Sequence, residues 1–429
     1  VTRVLDLPAA GLVLLVGVSG AGKSTFAARH FRPTQVVSSD RCRAMVSDDE
    51  NDQSATADAF ELLHSVVDRR LRRGLLTVVD ATNLHPHPRQ ELRRIAKKHC
   101  LPTAAVVLDL PADLIRERTR NRSDRVIDDD VTARQLHDLR RALRQLDQEK
   151  YRALHVLRTP EEVDAAVVRL VPLRCDRSDL RGPFDIIGDV HGCRAELEEL
   201  LHRLGYRLRR DGQGRAVGAH HPDRTAVFVG DLVDRGPDSP GVLRLVMGMV
   251  ADGDALCVMG NHENRLVRAL RGRATRLSYG LQETLDQLGA ETEEFRDRVL
   301  SFCAGLVDHY VLDGGNLVVA HAGLKEEYHG RSSGRVRAFA LYGETTGEVD
   351  DYGLPVRLPW ARDYRGRAVV VHGHVPASDT MWVNNTLCVD TGCVFGGKLT
   401  ALRYPEREIV DVPAERVWYD RGRPLEPRS

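Results

Sequence analysis

An apolar run, Leu12-Val13-Leu14-Leu15-Val16, passes without a break into Gly17-Val18-Ser19-Gly20-Ala21-Gly22-Lys23-Ser24. No other junction constrains the fold as strongly. Residues that are apolar in succession, rather than in alternation, read as a strand buried on both faces, as in a parallel sheet covered by helices. The octet fits G-x-x-x-x-G-K-[ST] and is placed to open a helix from about Lys23. In that motif the glycines let backbone N–H groups curl around phosphate, and the helix adds its positive end. The lysine reaches the β and γ phosphates, and the hydroxyl holds Mg²⁺. The plainer alternative is a Gly-rich helix entry with no ligand. The complete motif in this setting favours Gly17, Gly20, Gly22, Lys23, Ser24 and Thr25 as a triphosphate cradle.

Strand-like runs recur at Gln35–Ser38, Leu75–Asp80 and Thr103–Leu110, with helical patterns at Thr56–Arg73 and Pro88–His99 between them. That alternation predicts a parallel α/β sheet. Arg-rich helical stretches follow at Asp113–Arg122 and about Val131–Tyr151. The pattern fades near Leu170, so residues 1–170 form a first domain and the polar stretch 171–183 reads as a linker. A strand-rich second domain spans 184–410, and 411–429 read as a tail. Two domains suit a chain of 429 residues.

Open α/β sheets bind ligands at the carboxyl ends of their strands, and Ser38-Ser39-Asp40 ends the second run. Asp40 is placed to take a hydroxyl proton from a phosphoryl acceptor; helix capping is its plainer reading. Arg43 is placed to fix a phosphate on that acceptor. Asp80-Ala81-Thr82-Asn83 either puts Asp80 and Asn83 on the acceptor side or forms only a turn. Arg118 and Arg122 share one helical face, near Arg116, Arg120 and Arg125. They suit a lid that neutralises transition-state charge, against the alternative of a solvated basic face.

The second domain carries five ordered motifs. They are Gly188-Asp189-Val190-His191-Gly192, Gly230-Asp231-Leu232-Val233-Asp234-Arg235-Gly236, Gly260-Asn261-His262-Glu263, His321-Ala322-Gly323 and Gly373-His374-Val375-Pro376. Each follows a strand-like run. Asp, Asn and His together suit Mn²⁺, Fe or Zn²⁺ better than Ca²⁺. Two metals about 3.5–4 Å apart need a shared carboxylate, and Asp231 is the natural bridge. Asp189, His191 and His374 are expected to complete one metal, with Asn261 and His321 at the second. His374 is preferred to His372 because it lies between Gly373 and the turn-forming Pro376. His262 is the candidate proton donor to the leaving oxygen, oriented by Asp234, and Arg235 clamps the scissile phosphate. The helical stretch Glu263–Leu300 is expected to cover the site. One histidine alone would most often be an ordinary polar residue; five motifs in order are not.

Lys+Arg and Asp+Glu balance at 62 each. Without a global basic field, a nucleic-acid partner must be met by local patches. The eight cysteines include no CxxC pair, which suits a reducing cytoplasm. No apolar run approaches the roughly 20 residues of a spanning helix, and no signal peptide opens the chain, so a membrane role is not expected. A first residue of Val fits a trimmed chain or a non-standard start codon.

The second set of motifs, with Val389-Asp390-Thr391-Gly392-Cys393, resembles the calcineurin-type metallophosphoesterase superfamily. GVSGAGKST, SSDRCR, VVDATN and ERTRNRSDR resemble the polynucleotide 5′-kinase group. Both sets in this order, over about residues 10–410, resemble the bacterial polynucleotide kinase-phosphatases of RNA repair. The resemblance implies a P-loop kinase sheet with flanking helices, followed by two packed sheets with outer helices. It implies ATP-dependent phosphorylation of 5′-OH ends and metal-dependent removal of 3′-phosphate, with opening of 2′,3′-cyclic phosphate ends.

It also implies roles. Lys23 and Ser24 serve ATP and Mg²⁺, Asp40 is the general base, Arg43 meets the acceptor phosphate, and Arg118 and Arg122 are lid arginines. Asp189, His191, Asp231, Asn261, His321 and His374 hold two divalent ions, Mn²⁺ first among the candidates. His262 and Arg235 meet the phosphate. RNA ends are the expected partner, with DNA ends open, and a homodimer is a further expectation. The family adds a ligase-like adenylyltransferase and works with an RNA 3′-terminal methyltransferase. No K-x-D-G motif occurs here, so sealing by this stretch is not expected: either the third module was cut away or it resides elsewhere. The motifs also permit an alternative: a metabolite kinase fused to a protein or dinucleoside polyphosphate phosphatase.

Overall fold

The run Leu12–Val16 becomes the central strand of a five-stranded parallel sheet, and all five of its residues are buried. The computed structural model describes residues 2–121, 128–349, 355–422 and 424–427. They divide into two units, residues 1–173 with 331–333, and residues 174–330 with 334–429.

In the first unit the strand order is Val36–Ser38, Thr77–Asp80, Leu12–Val16, Thr103–Leu108 and Ala153–Leu157. Every pairing is parallel, so helices must carry the chain back between strands. Phe26 and Ala27, from helix Lys23–His30, pack on one face of the sheet. Ala59, Leu63, Val67 and Leu71 pack on the other. Their four-residue spacing makes one stripe along helix Thr56–Arg72. Register carries the functional consequence. Leu15 pairs with Asp80, and Asp80 with Ser38. The Gly-rich turn, Asp80 and the start of helix Ser39–Ser47 therefore share the carboxyl edge of the sheet. A short parallel pair, Arg3–Pro8 with Ala166–Val171, was not evident in the sequence.

In the second unit one sheet runs Ala255–Cys257, Thr225–Phe228, Phe184–Ile187, Lys398–Tyr404, Asp390–Thr391, and Glu408–Pro413 also pairs with Lys398–Tyr404. The other runs His309–Leu312, Leu317–Ala320, Val369–His372, Thr386–Cys388, Trp382–Val383. Strand alternation sorts the side chains between two cores. Ile186, Val227 and Leu402 enter the core shared by the two sheets, with Val319, Val371 and Leu387 from the facing sheet. Ile187, Phe228 and Ala401 turn outward under helices Arg194–Leu204 and Ser239–Asp252. Each fully buried large aliphatic contributes about 1.5–3 kcal/mol. This is a mixed α/β architecture, a parallel P-loop sheet followed by an α/β sandwich, as expected.

Two stretches differ from expectation. Within 171–183, Val311 donates its N–H to Cys175 O at 2.8 Å and Arg177 donates to Val311 O at 2.9 Å. Leu180 packs on the core between the sheets. Polar composition suggested a linker, but edge pairing satisfies this backbone. Beyond residue 410, Glu408–Pro413 is a strand, and Trp418 and Tyr419 both donate N–H to Val394 O, at 3.1 and 2.9 Å. All eight cysteines are buried. Among the described residues no helix is long and apolar enough to cross a membrane.

Candidate functional site

At the carboxyl edge of the first sheet, Gly20 and Gly22 take φ of 82° and 89°, the left-handed region where glycine carries no Cβ penalty. Gly22 caps helix Lys23–His30. Lys23 is buried, and its ammonium donates to Val18 O at 2.9 Å, so it lies folded back over the turn. Gln135 accepts from Ser19 N–H at 2.8 Å. Arg118 brings its NH1 within 3.7 Å of where a Cβ on Gly22 would stand. Arg116 and Arg120 instead pair with Asp113 and Asp129. Arg122 and Arg125 lie outside the described residues.

Asp40 sits in the first turn of helix Ser39–Ser47, where the helix end favours an anion. Arg43 is buried and donates through NH1 to Asp40 Oδ1 and to Glu50 O, both at 2.7 Å. The structure thus gives Arg43 a part in holding Asp40 that its sequence position did not reveal. Asn83 is buried, with φ 50°, and donates to Leu15 O at 2.8 Å; it ties its turn to the strand that enters the cradle. Sequence reasoning missed the brace behind that turn. Arg89, fully buried, donates to Asn83 O and Leu84 O at 2.9 and 2.8 Å and forks onto Glu149. Burial pushes the Glu149 carboxyl up, but hydrogen bonds from Arg89 and Tyr151 outweigh it and hold the carboxyl below its ordinary value. Their 60-residue separation left no local signal.

The five motifs of the second unit converge on one pocket. Its polar side chains are buried or half-buried: Asp189, His191, Asp231, Asp234, His262 and His321 are all at most 4% exposed. Asp231 is the hub. Its Oδ2 lies 3.3 Å from His321 Nε2, 3.7 Å from His191 Nε2 and 3.8 Å from His262 Nε2. His321 Nε2 is also 2.8 Å from Asn261 Oδ1 and 2.9 Å from His374 Nδ1. Two groups therefore share Asp231: His191–Asp231–His262 and Asp231–His321–His374. The expected partition placed His374 with Asp189 and His191. The structure puts the His374 ring beside His321, while its backbone N–H donates to Asp189 Oδ2 at 3.0 Å. His372, the rejected competitor, stacks near Trp360 instead, with ring centroids 5.4 Å apart.

The chemistry of this donor set fits cations. His191 and His321 meet the carbonyls of Val233 and Val229 through Nδ1, at 2.8 and 3.0 Å. Only a donating Nδ1–H makes those bonds, which turns each Nε2 toward the pocket. Asp189 Oδ1 and His374 Nε2 are buried with no partner among the described residues. Burial, then the charges of Asp390 and Asp231, push Asp189 well up. Burial alone would also raise Asp231, but the imidazoles of His321, His262 and His191 hold it well below the ordinary carboxylate range. Burial, then Arg235 and His262, depress His191; burial, then His321 and Arg357, depress His374. Burial alone would depress His321 too, but the Asp231 carboxylate raises it. Crowded carboxylates beside the hard-to-protonate rings of His191 and His374 form a donor set that divalent ions select.

Supporting groups fix the pocket. His262 Nδ1 lies 2.6 Å from Asp234 Oδ2, and His262 N–H donates to Asp231 Oδ1 at 3.0 Å. Arg235 NH1 reaches His191 Nε2 at 2.8 Å, and its guanidinium lies 5.2 Å from the centre of the Phe395 ring. Glu263, whose role sequence reasoning missed, is fully buried. It accepts from the N–H groups of Asp231, Leu232 and Gly260 at 2.8–2.9 Å. Burial and the Asp231 charge push its carboxyl up to about 7. His191, Asp231, Asp234, Arg235 and His374 all have positive φ, 45–74°, a strained backbone typical of functional sites. A side chain on Gly373 would collide with Asp189 Oδ1. The expected cover is present as helix Leu281–Gly289. Its Thr284 accepts from Asp234 N–H at 3.0 Å and its Gln287 from Ser239 N–H at 2.8 Å. A cavity of ~370 Å³ adjoins His374, walled by Trp360, Arg357, Met381 and Arg421 among others.

Comparison with known proteins divides the chain in the same way. Residues 182–408 match the calcineurin-like phosphoesterase family, and residues 12–146 match the AAA domain family. The asymmetrical bis(5′-nucleosyl)-tetraphosphatase PrpE of Anoxybacillus flavithermus is 44% identical over 235 residues, 54% of this chain and 94% of that protein. Its counterpart from Halalkalibacterium halodurans is 44% identical over 238 residues, again 54% and 94%. That of Bacillus subtilis is 42% identical over 246 residues, 56% of this chain and 98% of that protein.

Proposed function

We propose a function from one established premise: the chain belongs to the calcineurin-like phosphoesterase family, with a kinase-like P-loop domain ahead of that module. The proposed function is the healing of broken polynucleotide ends, RNA before DNA. One unit phosphorylates a 5′-OH with ATP; the other removes 3′-phosphate and opens 2′,3′-cyclic phosphate. The observation that carries this reading is the union of opposite chemistries. The Gly17–Ser24 turn shares the carboxyl edge of its sheet with the start of helix Ser39–Ser47, where Arg43 holds Asp40. The same chain gathers carboxylates and imidazoles around Asp231. Adding and removing phosphate at one position would cancel. A broken strand offers two positions, and both reactions then serve one substrate.

In the kinase unit Lys23 and Ser24 hold ATP and Mg²⁺, and Arg118 offsets charge on the transferring phosphoryl group. Asp40 takes the 5′-hydroxyl proton; Asp80 and Asn83 shape the acceptor side. In the phosphoesterase unit Asp189, His191, Asp231, Asn261, His321 and His374 would hold two divalent ions, Mn²⁺ first. Such a pair supplies Lewis-acid charge and an activated water. Arg235 orients the phosphate. His262, its Nδ1–H held by Asp234, acts as an imidazolium that gives its Nε2 proton to the leaving oxygen and is left neutral. On this reading a reducing cytoplasm suits eight buried thiols.

A second reading, hydrolysis of dinucleoside polyphosphates, is favoured by the 44% identity to PrpE proteins. The test uses the full chain with Mg²⁺ and Mn²⁺. Labelled ATP with 5′-OH RNA or DNA, 3′-phosphate RNA and diadenosine tetraphosphate are compared by kcat/KM. Transfer to 5′-OH ends together with a preference for 3′-phosphate ends supports healing. Cleavage of the dinucleotide alone, with no transfer to either polynucleotide, replaces it with the second reading.

A further inference from the structure

Between Glu263 and Glu283 the chain holds no acidic residue and five arginines, Arg265, Arg268, Arg271, Arg273 and Arg276. In a protein whose formal charge sums to zero, this is a local concentration of one sign. Among the described residues none of the five forms an ion pair, although arginines elsewhere in this unit commonly do, as Arg224, Arg244 and Arg337 show. Arg268, Arg271, Arg273 and Arg276 are exposed. Leu277 and Tyr279, beside them, are 54% and 44% exposed. Arg265 holds the segment in shape. It donates to Ser278 O at 2.7 Å, and its guanidinium lies 5.3 Å from the centre of the Tyr279 ring.

This surface leads into the metal pocket from both ends. Arg265 and Arg268 extend the helix that begins Asn261-His262. Gly280 closes the loop so tightly on Arg235 that a Cβ there would strike the Arg235 backbone. Unpaired guanidinium groups with an exposed aromatic are the elements that grip a flexible single strand, by phosphate neutralisation and base stacking. We propose that Arg268–Tyr279 is a track for a single-stranded polynucleotide whose 3′ end enters the phosphoesterase pocket. The track carries the phosphates upstream of the end, and Tyr279 stacks on a base. The inference rests on the end-healing reading and names the part of the substrate that a dinucleoside polyphosphate lacks.

The test is the triple variant Arg271→Ala, Arg273→Ala, Arg276→Ala in the full chain, with Tyr279→Ala made separately. Substrates are 3′-phosphate RNA of two and twelve nucleotides and p-nitrophenyl phosphate. The triple variant is expected to raise KM for the twelve-mer at least tenfold at low salt and to leave p-nitrophenyl phosphate turnover unchanged, which also shows that the fold is intact. Losing three phosphate contacts should flatten the log–log salt dependence by about 2. Tyr279→Ala should cost about tenfold on the twelve-mer alone. Equal kinetics on the twelve-mer for wild type and triple variant would overturn the track while leaving end healing in place. If wild type cleaves no 3′-phosphate end, end healing fails, and anisotropy with labelled single-stranded RNA decides the track: binding that ignores the arginines overturns it. Competition by polyglutamate as effective as by RNA of equal charge would make this a general polyanion surface and overturn it too.

Discussion

The pocket around Asp231 shows how much a single side chain settles. His262 and Asp234 are essentially buried and 2.6 Å apart. The carboxylate accepts the Nδ1–H, and on the proposed mechanism it stabilises the doubly protonated ring whose Nε2–H faces the pocket. On the proposed mechanism His262→Gln lowers kcat on 3′-phosphate RNA by about 10²–10⁴-fold. Asp234→Asn keeps the shape, loses that stabilising charge and lowers kcat by about 10–100-fold. Steady-state kinetics with saturating Mn²⁺ check both, and a His262→Gln enzyme of normal kcat would remove the proton-donor role. These residues were legible because ligands and acids of this kind must be Asp, Asn or His beside glycines that let strand ends turn. Glu263 was not legible as a brace. Gly260 is a local helix-capping partner, but the other two, Asp231 and Leu232, are set by the meeting of two loops about 30 residues apart. The pairing of His374 with His321, rather than with His191, was hidden for the same reason: it depends on how two strand ends are offset, and the sequence carries no trace of that offset.

At the scale of elements, two braces hold functional turns, and each makes a prediction. Thr284 and Gln287, on helix Leu281–Gly289, accept from the loop that carries Asp234 and Arg235. Thr284→Val with Gln287→Leu removes both acceptors; Asp234 N–H keeps Ser239 Oγ at 3.2 Å, while Ser239 N–H loses its acceptor, at about 1–3 kcal/mol. The expected outcome is a lower melting temperature and roughly tenfold less phosphoesterase turnover, with 5′-phosphorylation unchanged. In the first unit Glu149 pairs with the fully buried Arg89 behind the Asp80–Asn83 turn. Removing one partner strands the other, so Glu149→Ala should cost about 3–5 kcal/mol.

The sign of the pH effect follows from the depressed Glu149 carboxyl. Its folded value lies below the ordinary 4.5, so its contribution is complete above about 4.5 and is lost as pH falls through the folded value. Glu149→Gln should therefore flatten the acid limb of a melting-temperature profile, and an unchanged limb would refute the pairing. The sequence located the elements themselves well: Thr56–Arg73 was expected and Thr56–Arg72 is found. It missed the Arg3–Pro8 and Ala166–Val171 pair because its two strands lie far apart in the chain.

For the molecule as a whole, the two proposed sets of phosphate-handling residues lie in different units. The cradle at Gly17–Ser24 and the pocket around Asp231 share no side chain. Effects at sites without common partners add, usually within ~0.5 kcal/mol. Lys23→Ala should abolish transfer to 5′-OH ends and leave 3′-phosphatase kinetics within about twofold of wild type. Asp231→Asn should do the reverse, since it removes the one carboxylate common to both metal groups. Metal removal separates the units in another way. A chelated protein should recover kinase activity with Mg²⁺ alone, because that ion enters with ATP. Its phosphoesterase should require a metal that accepts imidazole as well as carboxylate, and Mn²⁺ meets that need better than Mg²⁺. Rescue of both activities by Mg²⁺ to equal extents would deny the imidazoles a ligating role. A loss of both activities from Lys23→Ala alone, with the melting profile intact, would instead mean that one pocket controls the other, a coupling that nothing in either residue set requires.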